Sequence, residues 1–249
     1  PTPKEDEPVK RAAHLLPAAL ILTLLLTFST PALCAHIDDM VRWLEGTPPT
    51  ADRFQFVVMA DSQPSEAGVM PEVFKTIVKE VNLLRPAFAI DCGDLIKGGE
   101  PALLDMEWNA FFEVIGRCEM PFFTLIGNHD VSTQISEEVW KQRHGPLWYS
   151  FDYGNSHFVM LDAMEMDVGP NIGPDQLEWL RADLTQSNAE HVFVFLHKPF
   201  WTDTTSNWEE VHAVLREHPT RAVFCGHVHR YLRFEPRDGI EYLIVGGAG

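Results

Sequence analysis

The sequence predicts a layered α/β fold in which two mixed sheets lie between helices. Three observations carry this reading. From Arg53 onward, apolar runs rich in Val, Ile and Phe alternate with stretches of helical periodicity. Five of the runs end in polar clusters, which is where α/β sheets meet their ligands: Asp61-Ser62-Gln63, Gly93-Asp94, Gly127-Asn128-His129-Asp130, His197 and Gly226-His227-Val228-His229. Elsewhere short strands meet at turn dipeptides rather than through helices, which mixes parallel with antiparallel pairing.

The elements follow in order. A strand over 54–60 leads to a helix over 71–84, where Pro71 suits a first turn and Val73, Ile77, Val81 and Leu84 share a face. Pro86 ends it. A strand over 87–91 precedes a helix over 101–117 carrying Leu103, Leu104, Phe111, Phe112 and Ile115, and a strand over 121–126 follows. The stretches 148–152 and 156–161 flank Tyr153-Gly154-Asn155 and read as a hairpin. Leu177, Leu180 and Leu184 mark a helix over 174–184; a strand over 191–196 and a helix over 208–217 come next. Three short strands close the chain at 221–225, 231–235 and 240–245, the last two joined through Asp238-Gly239.

Before residue 53 the chain has a different character. Lys10-Arg11, the apolar run from Leu15 to Phe28 and the small residues from Ala32 to Ala35 have the layout of a secretory signal peptide, so residues 1–35 are read as a signal peptide or an uncleaved anchor. The expected location is therefore exported, periplasmic or extracellular, with membrane attachment only through 15–28. Residues 36–52 are read as a linker and 53–249 as one catalytic domain, cut short at its C-terminus. The chain has 249 residues, 45% hydrophobic and 22% charged, enough for one sizeable core. A formal net charge of -17 disfavours nucleic acid and anionic lipid as general partners. A phosphorylated substrate then needs local positive charge, which metal ions supply. Beyond the leader, Cys92, Cys118 and Cys225 form no disulfide pattern and read as buried filler.

The polar clusters hold a donor set for two hard cations about 3.5–4 Å apart, which need a bridging carboxylate, neutral donors and an open face. Asp94 is the candidate bridge; Asp61, Asn128, His197, His227 and His229 are the other ligands. The alternation His227-Val228-His229 suits a loop that sends one imidazole to each metal. His129 is left over, free to act on a phosphate oxygen or leaving group, with Asp130 expected to fix its tautomer and keep it protonated. Hydroxide held between the cations would be the nucleophile, and hydrolysis of a phosphate ester the reaction. Each residue also has a plainer use: Asp61 as a helix cap, His197 as a core histidine, Asn128 and Gly93-Asp94 as turns. Their joint occurrence at five strand ends is what favours the metal reading. His157, His191, His212 and His218 lack such company and read as structural or solvated. Phe200, Trp201, Trp208, Trp148 and Tyr149 read as loop packing. Asp91 reads either as a group that tunes Asp94 or as a plain polar strand residue.

In order and spacing, Asp61-x-Gln63, Gly93-Asp94, Gly127-Asn128-His129-Asp130, His197 and Gly226-His227-Val228-His229 resemble the motifs of the calcineurin-like metallophosphoesterases. The resemblance covers residue 53 to the end. It implies a four-layer αββα sandwich and a two-metal site. By that likeness Asp61, Asp94 and His229 hold one metal, Asp94, Asn128, His197 and His227 hold the other, and His129 is the acid or phosphate-binding group. The metals it implies are Mn²⁺, Fe²⁺/Fe³⁺ or Zn²⁺. One position departs, since the family usually has Asp-x-His where Gln63 stands. An amide oxygen is a weaker donor than imidazole, so that metal is held loosely or is a harder ion such as Mn²⁺ or Mg²⁺. Similar branches with Gln here include manganese-dependent ADP-ribose and CDP-alcohol hydrolases, which keeps a pyrophosphatase open as an alternative. The Gly-Asp block continues as Leu95-Ile96 without the tyrosine that purple acid phosphatases use on iron, so the resemblance does not imply a purple enzyme. Two other readings stay open: a non-catalytic binding module on the same fold, and an anchored protein serving assembly at the envelope.

Overall fold

The computed structural model describes residues 36–49 and 53–249. The leader expected at 1–35 lies outside the described residues, among which no helix is long and apolar enough to cross a membrane. Helix α1 (Ile37–Gly46) opens the described chain, where no element was expected. Its signal was Ile37, Met40 and Leu44, spaced for one face and all buried.

Strands β1 (Phe56–Met59), β2 (Phe88–Asp91) and β3 (Phe122–Thr124) form the first sheet, in the order β1-β2-β3. Both pairings are parallel, so this sheet is not mixed as expected. The reason is connectivity: α2 (Glu72–Leu84) joins β1 to β2 and α3 (Leu104–Ile115) joins β2 to β3, and a helical crossover returns the chain in the same direction. After α4 (Gln134–Arg143), a second unanticipated helix, comes the second sheet. The start of α4 is fixed by a capping box in which the Ser136 amide donates to Thr133 and the Ser136 hydroxyl accepts from the Thr133 amide.

The second sheet is mixed. It contains β4 (Tyr149–Tyr153), β5 (Ser156–Met160), β6 (His191–Phe195), β7 (Thr220–Cys225), β8 (Leu232–Arg233) and β9 (Glu241–Ile244), in the order β4-β5-β6-β7-β9-β8. Its inner strands pair in parallel, and the edge strands β4 and β8 pair antiparallel. Asp238 and Gly239, at φ +50° and +82°, turn the chain back between Arg237 and Ile240. Helices α5 (Pro174–Gln186) and α6 (Trp208–Leu215) supply crossovers before β6 and β7.

Alternation along the strands sorts side chains into three cores. Phe74, Val78, Trp108 and Phe111 of α2 and α3 cover the outer face of the first sheet through Met59, Ala89 and Phe122. Leu177, Leu180, Val211 and Val214 of α5 and α6 cover the second sheet through Val159, Val192, Val194 and Val223. Between the sheets lies a layer rich in phenylalanine, with Phe88 and Phe158 edge to face at 5.0 Å and Phe123 stacked on Phe151 at 4.2 Å. Helix α1 packs into this layer. The order helix, sheet, sheet, helix is a four-layer αββα sandwich. Because β1, β2, β3, β6 and β7 run parallel within their sheets, the loops after their C-terminal ends carry the chemistry described next.

Candidate two-metal site

Asp61 follows β1, Asp94 follows β2, Asn128 follows β3, His197 follows β6, and His227 and His229 follow β7. The structure brings all six together. Ligand atoms of Asp94, His197 and His227 lie within 4.8 Å of one another, as do those of Asp61, Asp94 and His229. Asp94 is common to both groups. His197 Nε2 is 3.2 Å from Asp94 Oδ2 and 3.2 Å from Asn128 Oδ1, which puts Asn128 beside the first group. The ring stays in this orientation because His197 Nδ1 donates to the Cys92 carbonyl at 2.8 Å, leaving the Nε2 lone pair for the site.

Gln63 also reaches the site. Its amide lies 3.5 Å from Asp94 Oδ2 and 3.4 Å from His229 Nε2. Turned so that its nitrogen donates to the main-chain carbonyls of Asp94 (3.0 Å) and Asp61 (3.1 Å), the amide presents its oxygen to those two groups.

The backbone is strained here in a way no sequence pattern reveals. Asp61, Asp94, His227 and His229 have φ of +57°, +59°, +71° and +54°, a region that residues other than glycine seldom visit. What over-determines it is visible for Asp94. A Cβ on Gly127 would lie 2.1 Å from the Asp94 amide nitrogen, so the two loops approach as only glycine permits.

Asp130 then fastens those loops. It is fully buried and accepts from the amides of Asp94 (2.9 Å), Gly127 (2.8 Å), Leu95 (2.8 Å) and Ile96 (3.2 Å). This corrects the expected role of Asp130. Its carboxylate is consumed by main-chain donors and does not orient His129, whose Nδ1 instead donates to the Lys97 carbonyl at 2.6 Å. Burial and the Asp94 charge push the Asp130 carboxyl up to about 7, against the pull of those amides. Asp130→Asn places an NH₂ against amide donors and is expected to cost about 3 kcal/mol of stability, read by denaturant unfolding. An unchanged midpoint would contradict the fastening role.

Electrostatics show that the arrangement wants cations. Asp61 and Asp94 are both buried, and among the described residues their only ion-pair partners are histidines. Burial, the largest influence, holds Asp61 above the usual carboxylate range despite His197, the His227 amide and His229. Burial opposes charge on Asp94 too, but the hydrogen bond and charge of His197 outweigh it and hold Asp94 below that range. Burial and the charges of His197 and Lys198 push His227 down to about 4, which leaves it neutral and able to ligate. Two acidic oxygens, an amide oxygen and imidazole nitrogens around a shared carboxylate fit a pair of divalent ions.

His129 stands apart. Its Nε2 is 4.0 Å from Asp94 Oδ2 and the side chain is 42% exposed, beside both groups and in neither. The remaining sequence candidates are placed as follows. Asp91 is fully buried at the end of β2, its carboxylate has no hydrogen-bond partner among the described residues, and burial pushes its pKa well up. Cys92, Cys118 and Cys225 are free and buried. His157 is held between Asp152 and Asp183, His212 between Tyr242 and Asp238, and His191 accepts from Arg221. Phe200 and Trp208 are buried, with Trp201 against Trp208 and Tyr242. A cleft of about 630 Å³ lined by Arg53, Phe54, Arg85 and His191 opens near the other ends of β1 and β6 and contains none of the site residues.

Comparison with known proteins agrees with this geometry. A sequence model of the calcineurin-like phosphoesterases matches residues 54–231, which include every site residue from Asp61 to His229. The chain is 23% identical over 258 residues to tartrate-resistant acid phosphatase type 5 of Oryctolagus cuniculus, covering 87% of this chain and 78% of that one. It is 28% identical over 237 residues to purple acid phosphatase 21 of Arabidopsis thaliana, covering 80% of this chain and 53% of the plant protein. The crystal structure of a dimetal phosphatase from Danio rerio shares the fold at a TM-score of 0.61 and 18% identity, covering 78% of this chain and 88% of that one. With two donor groups meeting at one carboxylate inside a matched span that takes in most of its length, the chain belongs to the calcineurin-like phosphoesterase family, hydrolases of phosphate esters with a two-metal centre.

Proposed function

We propose that the chain hydrolyses phosphate mono- or diesters of small molecules, with Asp61, Gln63, Asp94 and His229 holding one divalent ion and Asp94, Asn128, His197 and His227 the other. The observation that carries this reading is the position of Asp94 in both donor groups. The ions, when bound, neutralise phosphate charge and lower the pKa of water. The protein residues do the rest. The amides and glycine contacts around Asp94 hold its carboxylate in place, and His197 is fixed by the Cys92 carbonyl. His129 Nε2 faces the site with Nδ1 tied back, so its movable proton lies on the side where a leaving oxygen departs.

The test is a panel of phosphate monoesters, cyclic and linear diesters and nucleoside diphosphate derivatives, run with Mn²⁺, then with a chelator, then with Mn²⁺ restored. Hydrolysis that the chelator abolishes and metal restores is expected. Chelator-insensitive turnover, or none with any metal, would favour the binding-module reading. A pyrophosphatase is the second reading: the Gln63 amide oxygen is a hard donor that suits Mn²⁺, and preference for nucleoside diphosphate derivatives in the panel would select it. Export through residues 1–35 is tested by fractionation with and without that segment.

Although relatives carry the name purple acid phosphatase, an iron-loaded sample is expected to show no tyrosinate colour. Of the four tyrosines, Tyr149 donates to the Thr124 carbonyl, Tyr153 to the Thr47 carbonyl, and Tyr242 is bonded to His212. Tyr231 is 67% exposed. A visible band that disappears in Tyr231→Phe would overturn this expectation.

A further inference from the structure

We propose that Glu107 of α3 is a positioning residue for His129, acting through the 97–98 loop. The proposal rests on the reading of His129 as the proton donor to the leaving group. Glu107 occupies a place on the buried stripe of its helix, between Leu104, Trp108 and Phe111, where packing alone would put an apolar side chain. It is 1% exposed, and its Oε1 has no hydrogen-bond partner among the described residues. A buried carboxylate without a cation bonded to it is costly, and such a group persists where it does something.

What Glu107 does is hold one amide. Its Oε2 accepts from the Gly98 amide at 3.2 Å. The adjoining Lys97 carbonyl accepts from His129 Nδ1 at 2.6 Å. Gly98 itself sits at φ +66°, and a Cβ there would lie 1.8 Å from the His129 carbonyl oxygen. The loop is therefore pressed on His129 from two sides, by the carbonyl at the ring and by glycine at the backbone. Because a carbonyl only accepts, the proton on Nδ1 is fixed, and the exchangeable proton must be on Nε2, facing the site. In turnover an oxygen from water bonds to phosphorus as the ester P–O bond breaks with its electron pair going to the leaving oxygen; that oxygen takes the Nε2 proton from the ring, which is left neutral in its Nδ1–H form and regains a proton at Nε2 from solvent. Glu107 touches neither substrate nor metal. It sets where the ring stands and which nitrogen is free.

The test compares Glu107→Ala and Glu107→Gln with the parent. An alkyl phosphate, whose leaving oxygen needs a proton, and 4-nitrophenyl phosphate, whose leaving oxygen does not, are the substrates; metal content is measured alongside. Glu107→Ala is expected to lower kcat about tenfold on the alkyl ester, to change the nitrophenyl ester by less than about twofold, and to leave metal content unchanged. Glu107→Gln, which keeps an acceptor for the Gly98 amide, is expected to recover most of the loss. Independently of activity, ¹⁵N spectra of the metal-free protein should show His129 as the Nδ1–H form in the parent and as a mixture of tautomers in Glu107→Ala. An equal fall on both esters, a fall in metal content, or an unchanged tautomer in Glu107→Ala overturns the proposal. If the parent hydrolyses nothing with any metal, the proposed function fails, and the tautomer measurement still decides whether Glu107 positions His129.

Discussion

Asp94→Asn is expected to lose both metal ions together and with them about 10³-fold or more in kcat/KM, since metal stabilisation of the transition state amounts to several kcal/mol. The reason is that one carboxylate belongs to both donor groups. Asn keeps an oxygen for the His129 amide, which Asp94 Oδ1 now accepts at 2.8 Å, so the loop retains its bond. The variant also removes a charge that raises the pKa of buried Asp61. It gives up the ion pair with His197 as well, so metal-free Asp94→Asn is compared with the metal-free parent in denaturant to separate loss of metal from loss of fold. Retention of either ion at parental affinity would show that Asp94 is not shared.

His129→Ala is expected to do the opposite: keep both ions and lose turnover by about 10² or more on esters with poor leaving groups. Its ring lies outside both donor groups, and its Nε2 is too far from Asp94 for a hydrogen bond. Metal analysis beside single-turnover rates checks this. Metal loss equal to that of Asp94→Asn would make His129 a ligand.

Much of the fold was legible because its signals are local. Strand ends marked by Asp61, Asp94, Asn128, His197 and His227 could be read from apolar runs that stop at polar clusters. Helix α1 carries the same kind of local signal within a segment that otherwise reads as a linker, since Ile37, Met40 and Leu44 are spaced for one face. The parallel first sheet was legible as well, because the strands over 54–60, 87–91 and 121–126 with helices between them already make two crossovers that return the chain in the same direction.

The candidate site divides along the same line. Side chains that gather at strand tips were visible, whereas groups that act through the main chain were not. The Lys97 carbonyl took the place that proximity in sequence assigned to Asp130. Asp130 turned instead to four amides in the loops of Gly127 and Asp94. Main-chain acceptors carry no residue signature, so they emerge only in the folded chain. Glu107 left a faint trace, a lone carboxylate on the apolar stripe of α3.

The central claim is that two ions sit on either side of Asp94. Crystals of the protein grown with Mn²⁺, with anomalous scattering recorded near the manganese edge, test it directly. The account predicts two peaks about 3.5–4 Å apart, one beside Asp61 and His229 and one beside His197 and His227. A single peak, or peaks that leave Asp94 without a metal, would contradict it.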